Sequence, residues 1–155
     1  AREVSSKLLV ADVMHSEGKF NESVGLLEQC LAADPRNPTA LSMLGRAMTA
    51  QGNYSAAENY LRKSIEVSPS SFVSYSLLAS LFSRQNKLEI AESFMNQATR
   101  YASPFDKRLL ATQFESVGDG YAKTGRAFAA ARCYRQASAL DPDRETLAGK
   151  LSKLK

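Results

Sequence analysis

The amino-acid sequence predicts an all-α fold, a solenoid of four helix-turn-helix units closed by a C-terminal helix. Three observations predict it. Turn-like strings recur every 34 residues, prolines close successive segments at the same spacing, and small residues occupy three fixed positions in every unit. A fixed period of this length indicates a helical hairpin that buries its apolar face only by stacking on its neighbours.

The turn inside each unit carries a residue that tolerates a left-handed backbone. Gly18 and Gly52 are 34 residues apart, Asn86 follows after another 34, and Gly125 follows after 39. Glycine, and less often asparagine, supplies the positive φ that ends one helix and reverses the chain. The second helix of the second unit is predicted to begin with a capping box at residues 55–58, which read Ser-Ala-Ala-Glu.

A proline ends three of the four repeats. Pro35 and Pro69 are 34 residues apart, and Pro142 closes the last unit. Proline cannot continue a helix because it lacks the amide hydrogen and its ring clashes with the preceding turn. A single domain over residues 1–155 is therefore predicted, with units at about residues 4–37, 38–71, 72–105 and 111–144 and five inserted residues before the last.

Small residues recur where the backbones of stacked helices are expected to approach each other. They are Ala11, Gly45, Ala79 and Gly118 at the eighth position of the units, Ser23, Ala57, Ala91 and Ala130 at the twentieth, and Cys30, Ser64, Ala98 and Ala137 at the twenty-seventh. Larger apolar residues lie between them and are predicted to form the core, among them Val10, Leu44, Leu78 and Val117.

These positions together resemble the tetratricopeptide repeat family over about residues 4–144. The resemblance implies a right-handed superhelix in which the first helices of successive units line a concave groove, the usual binding surface. Some positions depart from the family pattern. Lys7 and Ala127 stand where the family favours an aromatic side chain, and Ser103 stands where it favours proline.

The resemblance also assigns candidate binding residues to the groove. They are Leu8, Asp12, His15, Ser42, Arg46, Thr49, Ser76, Ser80, Ser83, Glu115 and Asp119, with Arg84 and Lys123 at the margin. Short hydroxyl side chains with a few charges of both signs can hydrogen-bond an extended peptide or accept a helix. The alternative is that these residues are ordinary solvated positions on helices.

One subfamily of these repeats binds the C-terminal carboxylate of chaperones through lysine, arginine and asparagine side chains. The matching positions here are Leu8, Asp12, Ser42, Ser76 and Ser80. None is basic and none is asparagine, and the carboxylate of Asp12 would repel a second carboxylate. The expected partner is therefore a protein whose peptide or helix is recognised in another way.

The function predicted from the resemblance is that of a protein-interaction scaffold or adaptor. Two alternatives remain: a substrate-recruiting arm of a larger enzyme, such as a glycosyltransferase or hydroxylase, and an RNA-binding helical repeat. The sequence has no GxSxG, P-loop, GxGxxG or HExxH motif, so neither catalysis nor a cofactor is expected. Cys30 and Cys133 are 103 residues apart and His15 is the only histidine, so no metal site is predicted.

Charge and hydropathy argue against two further kinds of partner, nucleic acids and the interior of a membrane. The net charge of +4 is dispersed along the chain, whereas nucleic-acid binders concentrate basic residues on one face. No run of eighteen apolar residues occurs, so no membrane span is expected. The predicted location is the cytoplasm, with the periplasm or a larger parent protein as alternatives because the sequence does not begin with methionine. Self-association of the chain remains an alternative to binding another protein.

The C-terminal segment is amphipathic. Its leucines fall on one face of a helix predicted at about residues 144–155, and its lysines are expected to point to water; they are Leu147, Leu151 and Leu154 against Lys150 and Lys153. Because the last repeat of an array leaves an apolar face open, this segment is predicted to cap it. The alternatives are a helix on a membrane surface and the start of a truncated fifth unit.

Overall fold

The computed structural model describes residues 2–154, and these form α-helices joined by short turns. The helices of this range are α1 (Arg2–Ser16), α2 (Phe20–Ala33), α3 (Pro38–Ala50), α4 (Tyr54–Val67), α5 (Phe72–Arg84), α6 (Leu88–Tyr101), α7 (Lys107–Lys123), α8 (Ala127–Leu140) and α9 (Thr146–Lys153). No residue between 2 and 154 lies in a β-strand. The prediction of an all-α helical repeat is confirmed.

The chain divides into two compact units, Ala1–Leu77 and Leu78–Lys155, and α5 runs across the boundary. In the first unit α1 packs on α2, α2 on α3 and α3 on α4, and α1 also contacts α3. In the second unit α6 packs on α7, α7 on α8 and α8 on α9. Contacts between helices that follow one another in the chain are those expected of stacked helical hairpins.

The turns within the helical hairpins have the predicted left-handed residues. The φ angles are 77° at Gly18, 78° at Gly52, 57° at Asn86 and 74° at Gly125. In each turn the following residue donates its backbone N–H to the carbonyl five residues earlier, at 2.8–2.9 Å. This hydrogen bond closes the end of the first helix, as in a Schellman motif.

The capping box predicted at residues 55–58 is wrong. Helix α4 begins at Tyr54, and its N-cap is Asn53, two residues before the predicted cap Ser55. The Asn53 side chain accepts a hydrogen bond from the backbone N–H of Ala56 at 3.4 Å. Asn37 caps α3 in the same way, through the N–H of Ala40 at 2.9 Å. A single residue after the turn glycine is enough to re-enter a helix, so the asparagine there takes the cap position.

All twelve small residues predicted at helix contacts are buried. The closest approaches are made by the two glycines among them. A Cβ atom on Gly118 would lie 2.6 Å from Cε1 of Tyr134, and one on Gly45 would lie 2.5 Å from Cδ2 of Leu61. Since protein interiors are close-packed, these positions have no room for a methyl group.

Leu44, Leu78 and Val117 are buried as predicted, but the prediction for Val10 is wrong. Val10 is 47% exposed, and Leu9 and Val13 on the same helix are exposed as well. Helix α1 is the first of the described helices. Within its unit it contacts α2 and α3, and these contacts leave part of its apolar surface exposed. Cys30 and Cys133 are buried and free, as expected.

Candidate functional site

In the first unit, two of the predicted groove residues contact each other. The guanidinium of Arg46 on α3 donates to the carboxylate of Asp12 on α1. Nε of Arg46 is buried and has no hydrogen-bond partner among residues 2–154. His15 packs edge-on against Phe20, with ring centroids 5.0 Å apart. These contacts give the α1–α3 face one ion pair beside a partly buried imidazole.

Partial burial and the charge of Arg46 lower the pKa of His15 against the opposing effect of Asp12. The imidazole is therefore neutral at pH 7 and can donate one hydrogen bond and accept another. Leu8, one turn before Asp12, is half-buried on the same helix. The face that α1 contributes is thus part apolar and part polar.

The hydroxyl groups predicted on α3 turn toward their own helix. Ser42 Oγ donates to the carbonyl of Thr39 at 3.0 Å, and Thr49 Oγ1 donates to that of Gly45 at 2.8 Å. Both residues are buried, as is Ser76 on α5. Their hydroxyls are therefore used in folding and present little surface to a ligand.

In the second unit, α5 and α7 enclose a cavity of about 200 Å³. Its apolar part is formed by Ala79, Met95 and Val117, and its polar part by Ser80, Ser83, Arg84, Gln113 and Ser116. Three of the sequence-predicted residues, Ser80, Ser83 and the marginal Arg84, are thus brought together. Arg84 is the one charged side chain among these lining residues, so the cavity has a cationic edge.

Gln113 and Ser116 line this cavity and were missed by the sequence prediction. That prediction took the same positions from every first helix. A site between two helices instead takes one row of residues from each, and the two rows differ. Gln113 and Ser116 could have been found by predicting, for each helix separately, which residues face the neighbouring helix. One set of repeat positions applied to every helix could not reveal them.

The side of α7 opposite the cavity faces α9. Glu115 Oε2 accepts from Arg144 Nη1 at 2.7 Å, and Oε1 accepts from Thr146 Oγ1 at 2.9 Å and pairs with Lys150 Nζ at 2.8 Å. Asp119 accepts from the hydroxyl of Tyr134 at 2.7 Å and from Lys150 at 2.9 Å. The two predicted groove carboxylates of α7 are therefore bound by other residues of the second unit.

The electrostatics of Glu115 reflect this network. Burial alone would raise the pKa of its carboxyl, but hydrogen bonds from Lys150, Arg144 and Thr146 outweigh burial and lower the pKa to about 2. Burial and the hydrogen bond to Asp119 raise the pKa of Tyr134. Glu115 is thus ionised, and Tyr134 is a neutral donor, at any physiological pH.

The prediction that Lys150 points to water is wrong. Its side chain is only 33% exposed and pairs with Glu115 and Asp119. Leu147 is 2% exposed, as a capping role requires. Residues three apart share one side of a helix, so Lys150 extends from the same side of α9 as Leu147. It reaches the carboxylates at the edge of the apolar contact.

A second buried carboxylate, Glu92 on α6, was not singled out from the sequence. Arg132 on α8 donates to it twice, at 2.6 and 2.8 Å, and the hydroxyl of Tyr121 on α7 donates at 2.9 Å. The hydrogen bonds from Arg132 lower the pKa of Glu92 against the opposing effect of burial, and Tyr121 adds to the lowering. Glu92 thus joins α6, α7 and α8 through three hydrogen bonds, which gives it a structural role.

Residues 2–154 contain no group of three or more His, Cys, Asp or Glu side chains that could hold a metal ion. None of the helices described is both long enough and apolar enough to cross a membrane.

A family model of the tetratricopeptide repeat matches residues 14–81. Residues 14–81 of this chain are tetratricopeptide repeats. The match begins in α1 and ends in α5, so it includes the turns at Gly18 and Gly52 and both asparagine caps. A search of curated protein sequences gave no match.

Solved structures resemble this chain over nearly its whole length. A MamA protein is 19% identical with a TM-score of 0.74, over 96% of this chain and 79% of that one. PilF of Pseudomonas aeruginosa is 15% identical with a TM-score of 0.78, over 99% and 68%. YrrB, described as a TPR protein with an unusual peptide-binding site, is 20% identical with a TM-score of 0.71, over 97% and 75%. At these identities the likeness is one of fold.

Proposed function

We propose that this tetratricopeptide-repeat protein is an interaction scaffold that binds a peptide or helix of a partner protein on its first helices. The observation that carries the proposal is the cavity between α5 and α7. At about 200 Å³ it is smaller than the sites of about 300–1,000 Å³ that hold drug-sized molecules. It fits one side chain of a peptide that lies across the two helices.

The lining of the cavity suggests which side chain enters. Met95 and Val117 give the floor an apolar surface, while Ser80, Ser83 and Gln113 offer hydrogen bonds to a peptide backbone at the rim. No acidic residue lines the cavity, and Arg84 stands at its edge. The expected ligand is a peptide with an apolar side chain next to an acidic one, since a guanidinium binds a carboxylate in a bidentate fashion.

The family supports the general class of function. Tetratricopeptide repeats are generally a fold of protein interaction rather than of catalysis, and YrrB, with the same fold, has a peptide-binding site by its description. We therefore propose a non-enzymatic role without a cofactor. No observation favours a substrate-recruiting arm or RNA binding. We further propose that α1–α2, α3–α4, α5–α6 and α7–α8 are the four repeats and that α9 is a cap.

Selection of peptides from a displayed library on the intact chain tests the proposal. Peptides with an apolar and an adjacent acidic residue should be enriched. They should lose at least tenfold in affinity toward Ser83→Phe, because the added ring fills the cavity. Ser55→Phe, at an exposed position of α4, is the matched control and should bind normally. Equal binding to both variants, or no enrichment, would show that the cavity is not the site.

A further inference from the structure

We propose that the surface of α7 and α8 around Glu115 and Asp119 is a docking site for a basic amphipathic helix. In this structure the chain's own α9 occupies the site, and we infer that a partner helix replaces it. The inference goes beyond the proposed peptide site, because it uses the opposite row of α7 and none of the residues that line the α5–α7 cavity.

The positive charge around Glu115 comes from the C-terminal segment. This carboxylate is only 9% exposed. Both cations that pair with it in the described chain, Arg144 and Lys150, belong to the C-terminal segment. A nearly buried carboxylate without a counter-charge is costly. The surface of α7 therefore requires a cation from whatever helix lies on it.

Helix α8 adds a second feature that selects for a cation. The ammonium group of Lys150 lies 5.8 Å from the centre of the Tyr134 ring, while the hydroxyl of the same tyrosine donates to Asp119. The face of an aromatic ring attracts a cation, and the hydroxyl fixes the orientation of the carboxylate. Asp119, Glu115 and the ring together surround one ammonium position.

The side chains with which the C-terminal segment meets this surface have a definite spacing, and the first of them, Arg144, precedes α9. Arg144 and Thr146 bind Glu115, Leu147 is buried, and Lys150 binds both carboxylates. The pattern is a basic residue, a hydroxyl two positions later, an apolar residue directly after it, and a lysine three positions further. A partner helix with the last three residue types at this spacing, preceded by a basic residue as α9 is by Arg144, would satisfy the same groups.

Helix α9 is expected to bind this site only weakly. It has eight residues, and a helix so short is marginal without its packing. Only Leu147 is fully buried among its leucines, whereas Leu151 and Leu154 remain partly exposed. An open cavity of about 460 Å³ lies beside it, lined on the helix by Leu147, Ala148 and Leu151. A longer helix with larger apolar residues at those positions would fill the cavity and bind more tightly.

A labelled peptide with the sequence of residues 142–155, added to the full chain, tests the inference by fluorescence anisotropy. The wild-type chain should bind it weakly because its own α9 competes. Lys150→Glu places a negative charge against Glu115 and Asp119, so that variant should release its own α9 and bind the unchanged peptide at least tenfold more tightly. A peptide carrying Lys150→Glu should bind neither chain.

The matched control is Lys153→Glu, which makes the same charge change at an exposed residue of α9. This variant should bind the peptide as weakly as the wild type. The inference is overturned if the two variants bind alike or if the charge-reversed peptide binds as well as the original. A concentration-dependent dimer with protected α9 amides would instead identify a second copy of the chain as the occupant.

Hydrogen exchange on the wild-type chain provides a test that does not depend on any variant folding. Added salt screens the ion pairs of α9. The amides of α9 should therefore exchange faster as ionic strength rises, while those of α8 should change little, and excess peptide should have the same selective effect. Amides of α9 that stay as slow as those of α8 under both conditions would overturn the inference.

Discussion

Gly45 on α3 provides a sharp test of the reasoning that small residues are required where helices approach. In Gly45→Ala the added Cβ atom would lie 2.5 Å from Cδ2 of Leu61, and closer still to Cγ. Real carbon atoms in contact are about 3.5–4.0 Å apart. Leu61 must therefore move by about 1 Å, and it is fully buried in α4.

Two effects of opposite sign determine the result for Gly45→Ala. Alanine is favoured over glycine inside a helix by about 1 kcal/mol. An extra methyl group in a well-packed core costs about 1–3 kcal/mol. The expected net change is a loss of up to about 2 kcal/mol in the free energy of unfolding.

Gly25→Ala is the matched control, since it makes the same change within a helix of the same compact unit. A Cβ atom on Gly25 would meet nothing within 4 Å. Only the helix preference then acts, so this variant should gain up to about 1 kcal/mol. The difference between the two variants removes the preference and leaves the packing cost of about 1–3 kcal/mol.

Urea denaturation of both variants and the wild type, followed by circular dichroism, measures this difference. Gly45→Ala should unfold at lower urea and Gly25→Ala at equal or higher urea, with unchanged slopes. If Gly45→Ala is as stable as Gly25→Ala, then Leu61 repacks freely, and close approach does not explain the glycine.

Two further predictions follow from the buried ionisable groups. The pKa of Glu115 is lowered in the folded chain from 4.5 to about 2, so its stabilisation is complete above about pH 4.5 and is lost as the pH falls toward 2. Denaturation across that range should show a loss of about 2–3 kcal/mol that is absent in Glu115→Gln, and an equal loss in the variant would contradict the assignment. Burial raises the pKa of Cys30 and raises that of Cys133 to about 12. Neither thiol should react with a thiol reagent at pH 8 until denaturant is added, and rapid reaction of the native chain would contradict their burial.

The fold was predictable because its constraints are local and repeated. The positive φ at Gly52 and the close contact at Gly45 each require a residue type that is visible in the sequence, and both recur at one period. The wrong cap prediction arose where two nearby residues could each act as the N-cap of one helix. Asn53 was overlooked as a cap because the sequence beside it also offered a serine with a glutamate at the right distance.

The repeat register also explains one contact of the candidate site. Asp12 and Arg46 are 34 residues apart, which is one period, so they occupy the same position on neighbouring first helices. Stacking places such positions side by side. This ion pair was therefore predictable in principle from the alignment of the first two repeats.

The contacts of α9 were not predictable in this way, because α9 has no counterpart in the other repeats. Asp119 and Lys150 are 31 residues apart, a separation that no other repeat helps to interpret. Apolar periodicity predicted an inward stripe of Leu147, Leu151 and Leu154, of which Leu147 is buried and the other two are partly exposed. It could not reveal that Lys150 extends from the same side toward two carboxylates. Asp12 and Asp119 each follow the small residue at the eighth position of their units, yet Asp12 pairs with Arg46 on the next first helix, whereas Asp119 binds Lys150 on α9, the short helix that we propose a partner helix replaces.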